Sequence, residues 1–245
     1  MTKQMLGLVT LLVWAALPVL RAADDAEANK AKIPGLKLWL KLAEPEGKKA
    51  KNAVEKGVDC EVEGATWVKE GKIGGALSFS GDNQYILTAA SLHEAFAEGN
   101  LTIAVWINAK GGGVVADELG QHELEGGWHD SQIEVMDDGE VKVRVWQLDP
   151  LSIGKVKLNE WHHVVVRFNA KTQTLDGCVD GVKAADKQTG EKQWHDGGDI
   201  YYAFGAADST NCGQGGFFKG QMSDIRIYNR ALTDDEVKIL AGVQK

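Results

Sequence analysis

Carboxylates, imidazoles and indoles are the side chains of this chain best suited to chemistry, and they cluster. Acids gather at Asp117-Glu118, at His122-Glu123-Leu124-Glu125 and at Asp137-Asp138-Gly139-Glu140. Two carboxylates about 5–9 Å apart in a cleft cleave glycosidic bonds. Glycines near the first two groups predict loops instead, and Asp137-Asp138-Gly139 reads as a hairpin turn. His122 and His129, with Glu123, Glu125 and Asp130, are a mixed set of the kind zinc accepts. Their spacing matches no metal motif, so a solvated acidic loop is the expectation. His162 and His163 are adjacent, so on a strand they point to opposite faces and share no site. No Gly-x-Ser-x-Gly elbow is present, and no catalytic residue is assigned. Cys60, Cys178 and Cys212 lack metal-ligand spacing, and their odd number leaves at least one unpaired.

Strand patterning would position the aromatic and charged candidates. Leu36, Leu38, Leu40 and Leu42 alternate with Lys37, Trp39 and Lys41, the period of a half-buried strand. The same alternation recurs at Leu101 to Ile107, Val141 to Val145, Val164 to Phe168 and Asp224 to Ile227. Shorter strands are predicted over 76–79, 85–88, 133–136, 175–179 and 200–204. Glycine-rich turns separate them, which predicts an all-β antiparallel sandwich with one face wet. Thr233-Asp-Asp-Glu236 fits a capping box for a short C-terminal helix, and 91–97 suits another helical turn. By this alternation Trp106, Trp146, His163 and Arg167 face away from the apolar positions. If their strands share a sheet, they line its solvent side. Trp128 and Trp194 lie in glycine-rich stretches and would overhang it. A ring that stacks on a sugar, ringed by polar groups, is how glycans are bound.

The N-terminus has the form of a secretory signal: Lys3, an apolar run from Leu6 to Leu20, and Ala22-Ala23 before acidic residues. The expected organisation is a signal peptide over 1–23, a linker over 24–35 and one domain over 36–245. The run is shorter than the roughly 20 residues of a membrane span, so no span is expected to persist after cleavage. The destination is the periplasm or the extracellular space. A formal net charge of −8 excludes an electrostatic hold on nucleic acid. Asn100-Leu101-Thr102 fits a glycosylation sequon.

Several ordered segments carry a resemblance. Gly71-Lys-Ile-Gly-Gly-Ala-Leu-Ser-Phe79, Gly81-Asp-Asn-Gln-Tyr-Ile86, Leu101-Thr-Ile-Ala-Val-Trp-Ile107, Glu160-Trp-His-His-Val-Val-Val166, Val179-Asp-Gly-Val182 and Phe218 to Leu232 resemble, in order, the laminin G-like jelly-roll family. The resemblance implies a concanavalin A-like, two-sheet jelly-roll sandwich. It raises the expectation of glycan or protein binding without assigning either. Retaining β-glucanases of that fold carry Glu-x-Asp-x-x-Glu on one strand, a pattern this sequence lacks. Relatives often hold calcium, which implies Asp224 as a carboxylate ligand of a structural ion. The loop 206–216 falls where the family varies, and a Cys178–Cys212 bridge is one possible pairing. The reading is an exported, non-catalytic module for a polysaccharide or surface glycoconjugate. A protein-docking domain and a divergent glycan-degrading enzyme are the alternatives.

Overall fold

The computed structural model describes residues 30, 32–96, 98–190, 198–207 and 211–243. The predicted signal segment, most of the linker and Trp194 lie outside them. Strands are numbered β1–β17 in chain order. One sheet runs β14 (Val182–Lys183), β13 (Thr174–Val179), β12 (Trp161–Asn169), β7 (Leu101–Ala109), β17 (Lys219–Tyr228), β5 (Ala76–Ser80) and β4 (Thr66–Val68). In it β1 (Leu36–Leu40) also pairs with β17, and β15 (Gln188–Thr189) with β13. The second sheet runs β11 (Leu151–Lys155), β10 (Glu140–Val143), β9 (His129–Val135), β8 (Gly113–Leu119), β16 (Tyr201–Phe204), β6 (Tyr85–Thr88), β3 (Cys60–Glu63) and β2 (Lys49–Ala50). All named pairings are antiparallel, and the two-sheet sandwich expected from alternation is what forms. Between the sheets lie Leu38, Leu40, Ile103, Val105, Ile107, Val164, Val166, Ile225 and Ile227, facing Ile133, Val141, Val143, Tyr202 and Phe204.

The outer face of the nine-stranded sheet is not wet over its centre. Ala104, Val165, Cys178 and Tyr228 form a second apolar layer there with Ile33, Leu232, Val237 and Leu240. The last two belong to the C-terminal helix Asp234–Leu240. Thr233 accepts from the Glu236 N–H and the Glu236 side chain accepts from the Thr233 N–H, so the predicted capping box is present. Burial of each such aliphatic side chain is worth about 1.5–3 kcal/mol, which fastens the helix across the sheet. Two residues depart from the alternation reading as a result. Ile33, placed in the linker by its sequence, is 6% exposed and part of this layer. Leu36 packs there too, because the β1–β17 register shifts between Leu36 and Leu38 and turns it away from Leu38 and Leu40.

Asp117-Glu118, expected in a loop, lie in β8 near the middle of the eight-stranded sheet. The true loop begins just after, at Gly120. A 3-10 turn over His93–Phe96 fills the segment read as helical.

Candidate functional site

The eight-stranded sheet carries the most site-like surface. In its register Glu63 stands opposite Tyr85, and Glu61 opposite Leu87. The row from Glu61 continues through Leu87 and Ala203 to Asp117 and Ser131. Cross-strand partners share a face, so these side chains lie together on the outside of the sandwich. Leu87, Leu119 and Ala203 make a small apolar floor, with Tyr85, Leu124 and Tyr201 packed against it. The β8–β9 loop overhangs one side, its backbone fixed by the Gln121 Nε2 donating to the Glu125 carbonyl at 2.7 Å. Gly126 and Gly127 both take positive φ in that loop, which glycine adopts without penalty. The other wall carries Ala207, Gly216 and Phe217.

That second wall is held by one side chain. Glu134 projects from β9 and is fully buried. Its Oε1 accepts from the N–H groups of Asn211 and Cys212 at 3.0 and 2.8 Å. Its Oε2 accepts from those of Gln214 and Gly215 at 2.8 and 3.0 Å. Asn211 Oδ1 also accepts from the Ser131 N–H and hydroxyl. Residues 211–215 are therefore tied to the sheet by four hydrogen bonds to one carboxyl group.

Between the walls is a groove of about 700 Å³ lined by Glu61, Glu63, Asn83, Tyr85, His122, Glu123, Glu125 and Phe217 among others. Tyr85 and Phe217 are half-buried, which leaves ring surface available, and the four glutamates are exposed. The His122 ring packs on Tyr201 with centroids 5.2 Å apart. Partial burial, with Glu63 and Glu61 next to it, holds the Tyr85 phenol above its usual pKa, so it stays a hydrogen-bond donor at neutral pH. Below the loop, Asp117 is fully buried with its Oδ2 3.6 Å from His129 Nδ1. Burial pushes its carboxyl up to about 7, partly offset by His129.

The chain's best-matched carboxylate pair lies elsewhere. Glu118 stands opposite Asp130 and Tyr202 in the register, and Tyr202 is a core residue. Glu118 Oε2 accepts from the Tyr202 hydroxyl at 2.8 Å and from Gln132 Nε2 at 2.9 Å. Asp130 Oδ1 accepts from Arg144 Nη1 at 3.0 Å. Gln132 has no partner in the β8 register and reaches this network through the bulge. Glu118 is 2% exposed and Asp130 0%, so this geometry serves packing in the sandwich and offers no cleft for a sugar.

The predicted aromatic face is divided. Trp106, His163 and Arg167 are buried, at 5%, 1% and 4% exposure. They sit on the outer face of the nine-stranded sheet, where the second apolar layer replaces solvent. Lys72 Nζ lies 4.7 Å from the Trp106 ring centroid, and the His163 ring 5.2 Å away. Burial first, then Lys30 and Arg226, drives the His163 pKa down to about 3, so it is neutral. Arg167 donates to Asp176 and to the Leu232 carbonyl, and pairs with Asp234 at the helix start. Trp128 and Trp146 do come together, rings 6.0 Å apart and edge-on, but on the eight-stranded sheet.

Asp224 is 3% exposed and adopts φ 49° where the β17–β7 register shifts. Its Oδ1 accepts from Trp39 Nε1 at 2.7 Å and Arg226 Nε at 2.9 Å. These surroundings do not fit calcium, because the guanidinium already neutralises the carboxylate and repels a second cation. Among the described residues, no group of three His, Cys, Asp or Glu is placed to hold a metal. The Cys178–Cys212 pairing is also corrected. All three cysteines are free and buried. Cys178 lies under the helix on one sheet, while Cys212 contacts the Ser131 carbonyl on the other. The sandwich itself separates them.

A profile described as the concanavalin A-like lectin/glucanases superfamily, of laminin G type, matches residues 80–238. The chain belongs to that family. No curated protein matches its sequence. Among solved structures, it is similar to a Trypanosoma rangeli sialidase in complex with sialic acid, at TM-score 0.64 and 18% identity. That match covers 95% of this chain and 39% of the sialidase, so the chain spans about two-fifths of its length. It is similar to domain 4 of AbnA, an extracellular GH43 arabinanase from Geobacillus stearothermophilus, in complex with arabinotriose. There the TM-score is 0.61 at 15% identity, over 84% of this chain and 98% of that domain. The binding domain of botulinum neurotoxin DC, in complex with SialylT, matches at TM-score 0.58 and 13% identity, over 86% and 52%. At these identities the likeness establishes the fold.

Proposed function

We propose that this protein is an exported, non-catalytic carbohydrate-binding module whose binding site is the groove on the eight-stranded sheet. The observation that supports it is the pairing of half-buried Tyr85 and Phe217 with Asn83 and four carboxylates around about 700 Å³. That volume lies within the range of small-ligand sites, and rings beside hydrogen-bonding groups match the two faces of a sugar. Fold neighbours in complex with arabinotriose and with sialyl ligands favour the same class of ligand. Export rests on the N-terminal segment with the pattern of a signal peptide. The test is a glycan array probed with residues 24–245, followed by titration of the best binder. A stacking ring is worth about 1 kcal/mol, so Tyr85→Ala is expected to weaken binding about fivefold. Absence of binding to every glycan on the array overturns the proposal.

A further inference from the structure

The proposed glycan groove has a sign. Among its lining residues Glu61, Glu63, Glu123 and Glu125 are acidic, and no Lys or Arg is among them. Glu61 and Glu63 alternate outward from β3, whose burial pattern leaves both exposed. Glu123 and Glu125 face them from the β8–β9 loop, with His122 Nε2 3.9 Å from Glu61 Oε2. One pair thus rises from the sheet face and the other overhangs it from the loop, around one concavity. The whole chain adds to this potential with a formal charge of −8. A cleft lined by one sign of charge focuses its field on whatever enters.

We infer that the groove selects glycans bearing protonated amines, binds neutral glycans more weakly, and rejects those bearing carboxylates. This rests on the carbohydrate-binding reading and names its ligand class. An ammonium on the sugar lies between the sheet-borne pair and the loop-borne pair, gaining charge-assisted hydrogen bonds. A sugar carboxylate in the same place meets four carboxylates, with the His122 imidazole the one basic side chain among the lining residues. The preference follows from rim side chains, so it is separable from folding.

The experiment uses an array holding amine-bearing, neutral and carboxylate-bearing glycans in several linkages, read at pH 6 in low and high salt. Solution titrations of the best member of each class follow. Two exposed carboxylate–ammonium pairs at about 0.2–1 kcal/mol each correspond to a preference of roughly fivefold for the amine over the neutral class at low salt. High salt is expected to shrink it. The variant carrying Glu61→Gln, Glu63→Gln, Glu123→Gln and Glu125→Gln is expected to keep its melting temperature and lose the ranking. Two results overturn the inference while leaving carbohydrate binding intact. One is a bound set dominated by carboxylate-bearing glycans. The other is an unchanged ranking in the four-site variant. Failure of all classes to bind overturns the carbohydrate reading itself, and this inference with it.

Discussion

Replacing Asp117 by Asn tests the electrostatics under the groove. Asp117 is fully buried on the face that carries the small apolar floor. Burial raises its carboxyl from 3.8 to about 7, against the pull of His129 at 3.6 Å. In the unfolded chain the same group ionises near its ordinary value. Between those two pH values the unfolded state holds fewer protons than the folded state, so stability falls as pH rises. A shift of about three units corresponds to about 4 kcal/mol lost between pH 4 and pH 8. Asparagine has the same shape and cannot ionise. The stability of Asp117→Asn minus that of the parent should therefore grow by about 4 kcal/mol over this interval. Urea unfolding followed by tryptophan fluorescence at pH 4, 5.5, 7 and 8 measures it, and titrating groups not coupled to Asp117 cancel in the difference. A difference that stays constant with pH refutes the reasoning. A difference that shrinks means Asp117 is ionised and paired with a charged His129. The outcome bears on function, since a neutral Asp117 leaves the rim glutamates as the source of the groove's charge.

Other outcomes follow from named contacts. Glu134→Ala removes the acceptor of four backbone N–H groups. It should cost about 2–4 kcal/mol, expose residues 211–215 to proteolysis, and weaken glycan binding because Phe217 leaves its wall. Arg167→Ala breaks a buried ion pair and should cost about 3–5 kcal/mol by chemical denaturation while leaving glycan affinity unchanged. A loss of affinity with stability intact would return Arg167 to the binding site. Thiol titration should find three reactive thiols after unfolding in denaturant without reductant, and reductant should leave the melting temperature unmoved. Fewer than three would reinstate a disulfide.

Fold and helix were legible because their signals are local. Two-residue alternation marked the strands that build the core, and Thr233 with Glu236 announced the helix start. The site was less legible because it depends on which face of which sheet is covered. Alternation turns Trp106, His163 and Arg167 outward, as the structure has them, but not into solvent, since all three are buried. Their own strands held the warning. Val164, Val165 and Val166 are consecutive, and Ala104 and Cys178 occupy the same outer layer as Val165, the mark of strands buried on both faces. Glu61 and Glu63 did alternate with Cys60 and Val62, a signal that could have located β3 and the groove wall. That Asp117-Glu118 lie within a strand was masked by Gly120 and by the bulges that disturb β8 alternation. The clasp of Glu134 on residues 211–215 joins positions nearly eighty apart, and no local pattern carries it.

Sugar is proposed to bind on the eight-stranded sheet between the β8–β9 loop and Phe217. Chemical-shift mapping of the isotope-labelled domain, titrated with the best array ligand, tests it most directly. The account predicts saturable shifts at Glu63, Tyr85, His122 and Phe217, and none at Trp106, His163 or Arg167. Shifts confined to the Trp128–Trp146 pair, or centred under the C-terminal helix, would contradict it.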